Sequence, residues 1–220
     1  RLYTVLRTPG VAQASKYLLR FAQWKAADGR VESVQIVGFD PETGLGGPWD
    51  VSAGDPAALK EPNNVFIDEL YKQKLGVDHI GQMVEINGRR ARVVGFTSGI
   101  RSFTTSPYVF TSFKNAQDYA SLPVDETLFL LVRVAPGIPV EAVRQRLGAA
   151  LPENPAIATG QFASMTRRYW MFTTGAGIAV LLAAALGLVV GVVVVAQTIY
   201  ATTMDHLREY GTLKAMGATN

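Results

Sequence analysis

The residues best suited to metal or proton chemistry are the two histidines, His79 and His206. Such a site needs ligands that converge, and the chain has no cysteine to add a thiolate. A stretch long enough to cross a membrane lies between the two histidines, so they cannot share a site within one subunit. The paired acids Asp68 and Glu69 sit at a predicted strand-to-helix junction, where a carboxylate favours the helix N-terminus. Arg89, Arg90 and Arg92 flank a predicted hairpin and read as a solvated strand edge. Gly44, Gly46 and Gly47 lack the Lys-Ser/Thr that a phosphate-binding loop requires. HExxH and GxSxG patterns are absent. These residues do not assemble into a catalytic constellation, and the reading is a non-enzyme with no cofactor and no metal.

The stretch Tyr169 to Met204 organises the rest. It contains no Asp, Glu, Lys or Arg. As a helix it would be about 54 Å long, against a hydrocarbon core of about 30 Å. We read it as a transmembrane helix, spanning at about 172–199, that continues beyond the membrane. Ala179, Ala183, Gly187 and Gly191 recur every fourth residue, a spacing that lets helix backbones approach closely. Gln197, Thr198, Thr202 and Thr203 add polar groups that a neighbouring helix or water must satisfy. Both features predict packing against other helices. The positive-inside count is a tie, with Arg167 and Arg168 before the span and Arg208 and Lys214 after it.

The chain has 220 residues, is 48% hydrophobic and carries a net charge of +3, which is too small to argue for a nucleic-acid partner. It begins at Arg rather than Met and is expected to be a segment of something longer. Residues 1–165 form the predicted aqueous domain. Residues 1–8 read as a short helix, and Val11–Trp24 and Glu32–Phe39 as a hairpin about Ala27-Asp28-Gly29. Asp40–Pro62 is a Gly/Pro/Asp-rich surface segment with a turn or two of helix. Val65-Phe66-Ile67 is a buried strand, and Glu69–Leu75 a short helix closed by Gly76. Gln82–Ile86 and Arg90–Phe96 flank Asn87-Gly88, the strongest short hairpin signal. Thr97–Ser106 is a polar loop, followed by a strand at Tyr108-Val109-Phe110. Ser112 caps a helix through Tyr119. Thr127–Val134 is a strand, and Val140–Ala150 a helix with Val143 and Leu147 on one face. A further helix starts near Gln161 and is expected to run unbroken to Met204. The mixture predicts an α+β domain of short strands and helices.

Residues 205–220 follow the span. Leu207, Tyr210, Leu213 and Lys214 fall at helical spacing, and Gly217 can stop the helix. Such a helix can lie on lipid or dock in a partner's groove.

The segment Glu209-Tyr210-Gly211-Thr212-Leu213-Lys214-Ala215-Met216-Gly217-Ala218 resembles the one that follows the second span in ABC transporter permeases of the FtsX/MacB superfamily. Arg92-Val93-Val94-Gly95-Phe96-Thr97, Gly99-Ile100-Arg101-Ser102-Phe103, Pro107-Tyr108-Val109-Phe110, Tyr169-Trp170 and Ala196-Gln197-Thr198-Ile199-Tyr200 are similar to phrases of its DevC branch. The resemblance covers nearly the whole chain. It implies a MacB-like periplasmic domain over 1–165, the second transmembrane helix over 166–204, and a cytoplasmic coupling helix over 205–220. The protein would then sit in a bacterial inner membrane as a homodimer. A separate cytoplasmic ABC ATPase would contact Glu209, Tyr210, Leu213, Lys214, Met216 and Gly217. A periplasmic membrane-fusion adaptor, leading to an outer-membrane channel, would contact the loop at Gly99, Arg101 and Phe103. The transported substrate stays open; glycolipid is suggested by the branch name only. A rival from another class is a single-span sensor with an extracytoplasmic ligand-binding domain.

Overall fold

The computed structural model describes residues 1–102 and 107–217. The chain divides into two compact units, Arg1–Ala156 and Ile157–Asn220.

In the first unit α1 (Leu2–Leu6) leads into β1 (Val11–Lys25), a 15-residue strand about 50 Å long at ~3.3 Å per residue. Its second half pairs antiparallel with β2 (Val31–Phe39) across the expected turn. In that turn Asp28 accepts the Arg30 backbone N–H and pairs with its guanidinium, which together hold the carboxyl below its usual range. β3 (Val51–Gly54) is a four-residue strand inside the segment read as irregular, followed by a 3-10 turn at Pro56–Lys60. β4 (Asn64–Asp68) and α2 (Lys72–Leu75) come next, and Gly76 closes α2 in the left-handed conformation. β5 (Met83–Ile86) and β6 (Arg89–Thr97) form the Asn-Gly hairpin, with φ of 46° at Asn87 and 78° at Gly88. β7 (Tyr108–Ser112) leads to α3 (Phe113–Ala120), whose Asn115 N–H donates to the Ser112 hydroxyl. β8 (Phe129–Val134) and α4 (Val140–Ala150) complete the unit.

The pairings close on themselves. From β1 they run to β2, β7, β4, β6 and β5, and β5 returns to β1 at Trp24 opposite Ile86. Apolar side chains from alternate positions fill the space this ring encloses. Trp24, Val34, Ile36, Val65, Ile67, Val93 and Val109 belong to the main core, joined by Ala116 and Tyr119 of α3. The Trp24 indole N–H donates to the Leu75 carbonyl at 2.9 Å, which satisfies its polar atom inside the core. Val37, Phe39, Leu59, Phe66, Ile100 and Phe110 form a second cluster. The first half of β1 leaves the ring and pairs antiparallel with β8 instead. There Val143 and Leu147 of α4 bury a third cluster with Val5 and Ala14, as their shared helical face predicts. One strand thus serves two cores.

The second unit holds α5 (Thr159–Arg168), a π-helical turn at Tyr169–Thr173, α6 (Ala176–Asp205) and α7 (Leu207–Ala215). Among the described residues α6 is the one helix long and apolar enough to cross a membrane, with mean hydropathy 3.1 over its most apolar window. The unbroken helix expected from Gln161 to Met204 is not what forms. Gly175 adopts φ +75°, a conformation outside the right-handed helix that glycine reaches without a Cβ penalty. The Thr174 hydroxyl donates to the Trp170 carbonyl at 2.7 Å, and its oxygen accepts the Ala176 N–H at 3.4 Å. A side chain on Gly177 would lie 2.5 Å from the Met171 carbonyl oxygen, so the chain packs backbone against backbone across the break. The sequence Thr174-Gly175-Ala176-Gly177 builds a joint where a straight rod was expected. The boundary between units also falls earlier than residue 165, because α5 belongs with the helices that follow.

Candidate functional site

In the first unit the loop after β6 is organised by one buried carboxylate. Asp68 ends β4 and is 1% exposed. Its Oδ1 accepts the Leu70 N–H at 3.1 Å, capping the turn at Glu69–Tyr71, the structural role its position predicts. Its Oδ2 accepts the Thr97 hydroxyl at 3.0 Å and the Ile100 N–H at 2.6 Å. Ile100 is seated in the second cluster beside Phe66 and Phe110, so the loop is fixed by a polar clamp and an apolar plug together. Gly99 (φ +80°) and Arg101 are exposed on either side of Ile100. Phe103 and the rest of 103–106 lie outside the described residues.

A second tether joins this loop to a residue that sequence reading missed. The Ser98 N–H donates to the Asp50 carbonyl at 2.8 Å. Trp49, next in the chain, stacks edge-on against Phe110 with ring centroids 5.8 Å apart, yet remains 56% exposed. Trp49 and the Gly99–Arg101 loop are thus tied to one base, Trp49 through its stack on Phe110 and the loop through Ile100 in the cluster that holds Phe110. Tryptophan and arginine are the side chains most enriched where binding energy concentrates. The available signal was a lone tryptophan in a Gly/Pro-rich segment, with no period to mark it.

The arrangement does not favour acid–base chemistry. Tyr17 is pushed up to about 12, chiefly by burial and then by the neighbouring Tyr108, and burial also raises Tyr119. Neither phenol exchanges a proton near neutrality. Among the described residues no group of three or more His, Asp or Glu side chains could hold a metal ion.

In the second unit Ala179, Ala183, Gly187 and Gly191 all fall in α6, and neither glycine has a neighbouring atom where its Cβ would stand. α7 carries Leu207, Tyr210 and Leu213 on one face, each about half exposed. Glu209 reaches back to His206, its carboxylate 3.0 Å from the imidazole Nδ1. Lys214 lies in the last turn, and Met216, 72% exposed, follows the helix. Gly217 turns the chain out at φ +95°. All six tail residues named from the sequence therefore sit on or directly after a helix that follows α6 after a single residue, His206.

The family model for the MacB-like periplasmic core domain matches residues 1–150. The chain belongs to that family. The matched residues carry all eight described strands and end with α4, while α5 to α7 lie beyond them. Solved structures share the MacB-like fold. The periplasmic region of MacB from Actinobacillus actinomycetemcomitans superposes with a TM-score of 0.55 at 10% identity, covering 76% of this chain and 80% of that one. The extracellular domain of the noncanonic ABC-type transporter YknZ from Gram-positive bacteria superposes at 0.54 and 12% identity, covering 70% and 84%. At these identities the likeness is one of fold. No curated protein matches the chain in sequence. The expected α+β MacB-like domain followed by one long apolar helix is what the molecule contains.

Proposed function

We propose that this chain is part of the membrane-spanning permease subunit of a bacterial ABC exporter of the tripartite efflux type. It would pass ATP-driven motion from a cytoplasmic ATPase to an extracytoplasmic domain. The observation that carries this reading is the joining, in one chain, of a MacB-like core domain, an apolar 30-residue helix and a short helix with an exposed apolar face. In this reading α6 crosses the inner membrane, residues 1–156 are periplasmic and α7 is the cytoplasmic coupling helix. The small-residue stripe on α6 is where a second copy or a further span packs. ATP is hydrolysed on the separate ATPase subunit, and closure of its dimer pushes on α7 and moves α6. The motion then reaches the periplasmic domain through the joint at Gly175. That domain binds a membrane-fusion adaptor leading to an outer-membrane channel.

Leu213 fills a groove on the ATPase in this reading, with Leu207, Tyr210 and Met216 around it and Glu209 and Lys214 at the rim. Leu213→Asp puts an unpaired charge into a desolvated contact, which costs several kcal/mol. In full-length permease reconstituted with its ATPase, the variant will lose co-purification and stimulated ATP hydrolysis while still inserting into the membrane. Retained association removes Leu213 from the interface. No association even in the unaltered protein transfers the reading to a single-span sensor.

Trp49 and Arg101 are the adaptor contact in this reading. Trp49→Ala in the full-length permease will weaken adaptor binding by roughly thirtyfold, the scale of a hot-spot tryptophan. The unfolding midpoint will barely move, because the side chain is more than half exposed. Unchanged affinity by interferometry places the adaptor elsewhere.

A further inference from the structure

We propose that α5 and the π-helical turn after it lie on the outer surface of the membrane, with their apolar side in the lipid boundary and Arg167 and Arg168 on anionic lipid headgroups. This rests on the reading that α6 spans the bilayer. Phe162, Met165, Tyr169 and Phe172 follow one another at intervals of three, four and three residues, and each is at least half exposed. Gly160, Ser164 and Arg167 take the opposite side, and Arg168 borders the apolar stripe. An amphipathic helix of this kind, basic on its polar face and aromatic on the other, is suited to the interface plane.

Three further observations select lipid as the occupant. The apolar face runs directly into the span, since only Thr173 to Gly175 separate Phe172 from α6. The joint at Gly175 interrupts the helix at that point, so α5 need not follow the axis of α6. Charge is also complementary. No carboxylate occurs between residues 155 and 204 to neutralise the two arginines, and Tyr169 and Trp170 are the side chains that favour the headgroup level. A coiled coil with a second copy fits less well. The stripe covers about one and a half heptads, short of the three or four such a seam needs, and a π turn breaks its period.

These 220 residues contain no cysteine, so single substitutions give clean spin-label sites in the full-length protein once any cysteine elsewhere in it is replaced by serine. Phe162→Cys, Met165→Cys, Gly160→Cys, Ser164→Cys and Val189→Cys would be labelled and placed in vesicles of phosphatidylcholine, with or without phosphatidylglycerol. Collision with oxygen and with a water-soluble nickel chelate would be measured for each. Labels at 162 and 165 will sit about 5–10 Å below the headgroups, reached by oxygen and shielded from nickel. Labels at 160 and 164 will be open to nickel, and the label at 189 will report hydrocarbon. Immersion at 162 and 165 will deepen with phosphatidylglycerol, and Arg167→Gln/Arg168→Gln will remove that difference. Nickel access at all four α5 positions, with 189 still in hydrocarbon, overturns the proposal and leaves α5 in water. Exclusion of both reagents at 162 and 165 overturns it in favour of a protein contact. A depth insensitive to phosphatidylglycerol overturns the anionic headgroup. A wet label at 189 removes the span itself, and the lipid site with it.

Discussion

Replacing Asp68 with alanine will lower the stability of the first unit by about 3–5 kcal/mol. The carboxylate is buried and accepts three hydrogen bonds, from the Leu70 N–H, the Thr97 hydroxyl and the Ile100 N–H. A neutral intramolecular bond is worth about 1 kcal/mol net, but a buried donor stripped of its acceptor costs roughly 1–3 kcal/mol. Thr97 and Ile100 are 0% and 2% exposed, so water does not replace the lost acceptor without opening the loop. For a unit of this size each kcal/mol moves the melting temperature by about 2–4 °C, giving a fall of about 6–20 °C by circular dichroism. Asp68→Asn offers one acceptor oxygen in place of two and will fall between the two proteins. Exchange of the Ile100 amide will rise in both variants. A loss below about 1 kcal/mol would show that the loop, and not the carboxylate, supplies its own order.

Gly54→Ala will have an effect of similar size by a different route. Gly54 lies where β3 crosses β6, opposite Gly95, at φ +88°. An added Cβ would stand 2.4 Å from the Val94 carbonyl oxygen and 2.6 Å from the Gly95 Cα. Both are backbone atoms, so no rotamer change relieves the contact. Strain at such a φ costs about 1–3 kcal/mol, and overpacking adds about 1–3 kcal/mol. The cheapest relief is release of β3, and with it the Asp50–Ser98 tether of the loop. The urea midpoint will fall, and protease will cut within residues 40–62 where the unaltered protein resists. Gly148→Ala is the control of opposite sign. It sits within α4 with nothing near its Cβ, and helix propensity predicts a gain of up to about 1 kcal/mol.

Elements whose cause is local were legible in the sequence. Asn87-Gly88 requires positive φ at both residues and marked its hairpin, the Ser112 hydroxyl marked the start of α3, and the Val143/Leu147 spacing marked the buried face of α4. What failed to show was set by partners distant in sequence. Val51-Ser52-Ala53-Gly54 is too short and too exposed for an apolar alternation to mark it, and it is a strand because β6 offers its backbone. The pairing of Trp24 with Ile86 that closes the ring leaves no periodic trace. Asp68 was legible as a helix cap through its Oδ1, while the two donors on its Oδ2 come from 29 and 32 residues away. At Gly175 the error was one of degree. Glycine in an apolar helix reads as a place of possible bending, and only the Thr174 hydroxyl and the close approach of Gly177 to Met171 turn it into a break.

The sharing of β1 between two cores sets an order of events during synthesis. Val11 finds its partner only in Val134, 123 residues later in the chain. At ribosomal speeds of about 5–20 residues per second, that wait lasts roughly 6–25 s. The second half of β1 can meet β2 almost at once, while the first half stays without its ladder until β8 arrives. A nascent chain of this protein therefore holds one strand half engaged and half open. Whatever factor accompanies it during synthesis has the first seven residues of β1 as its client.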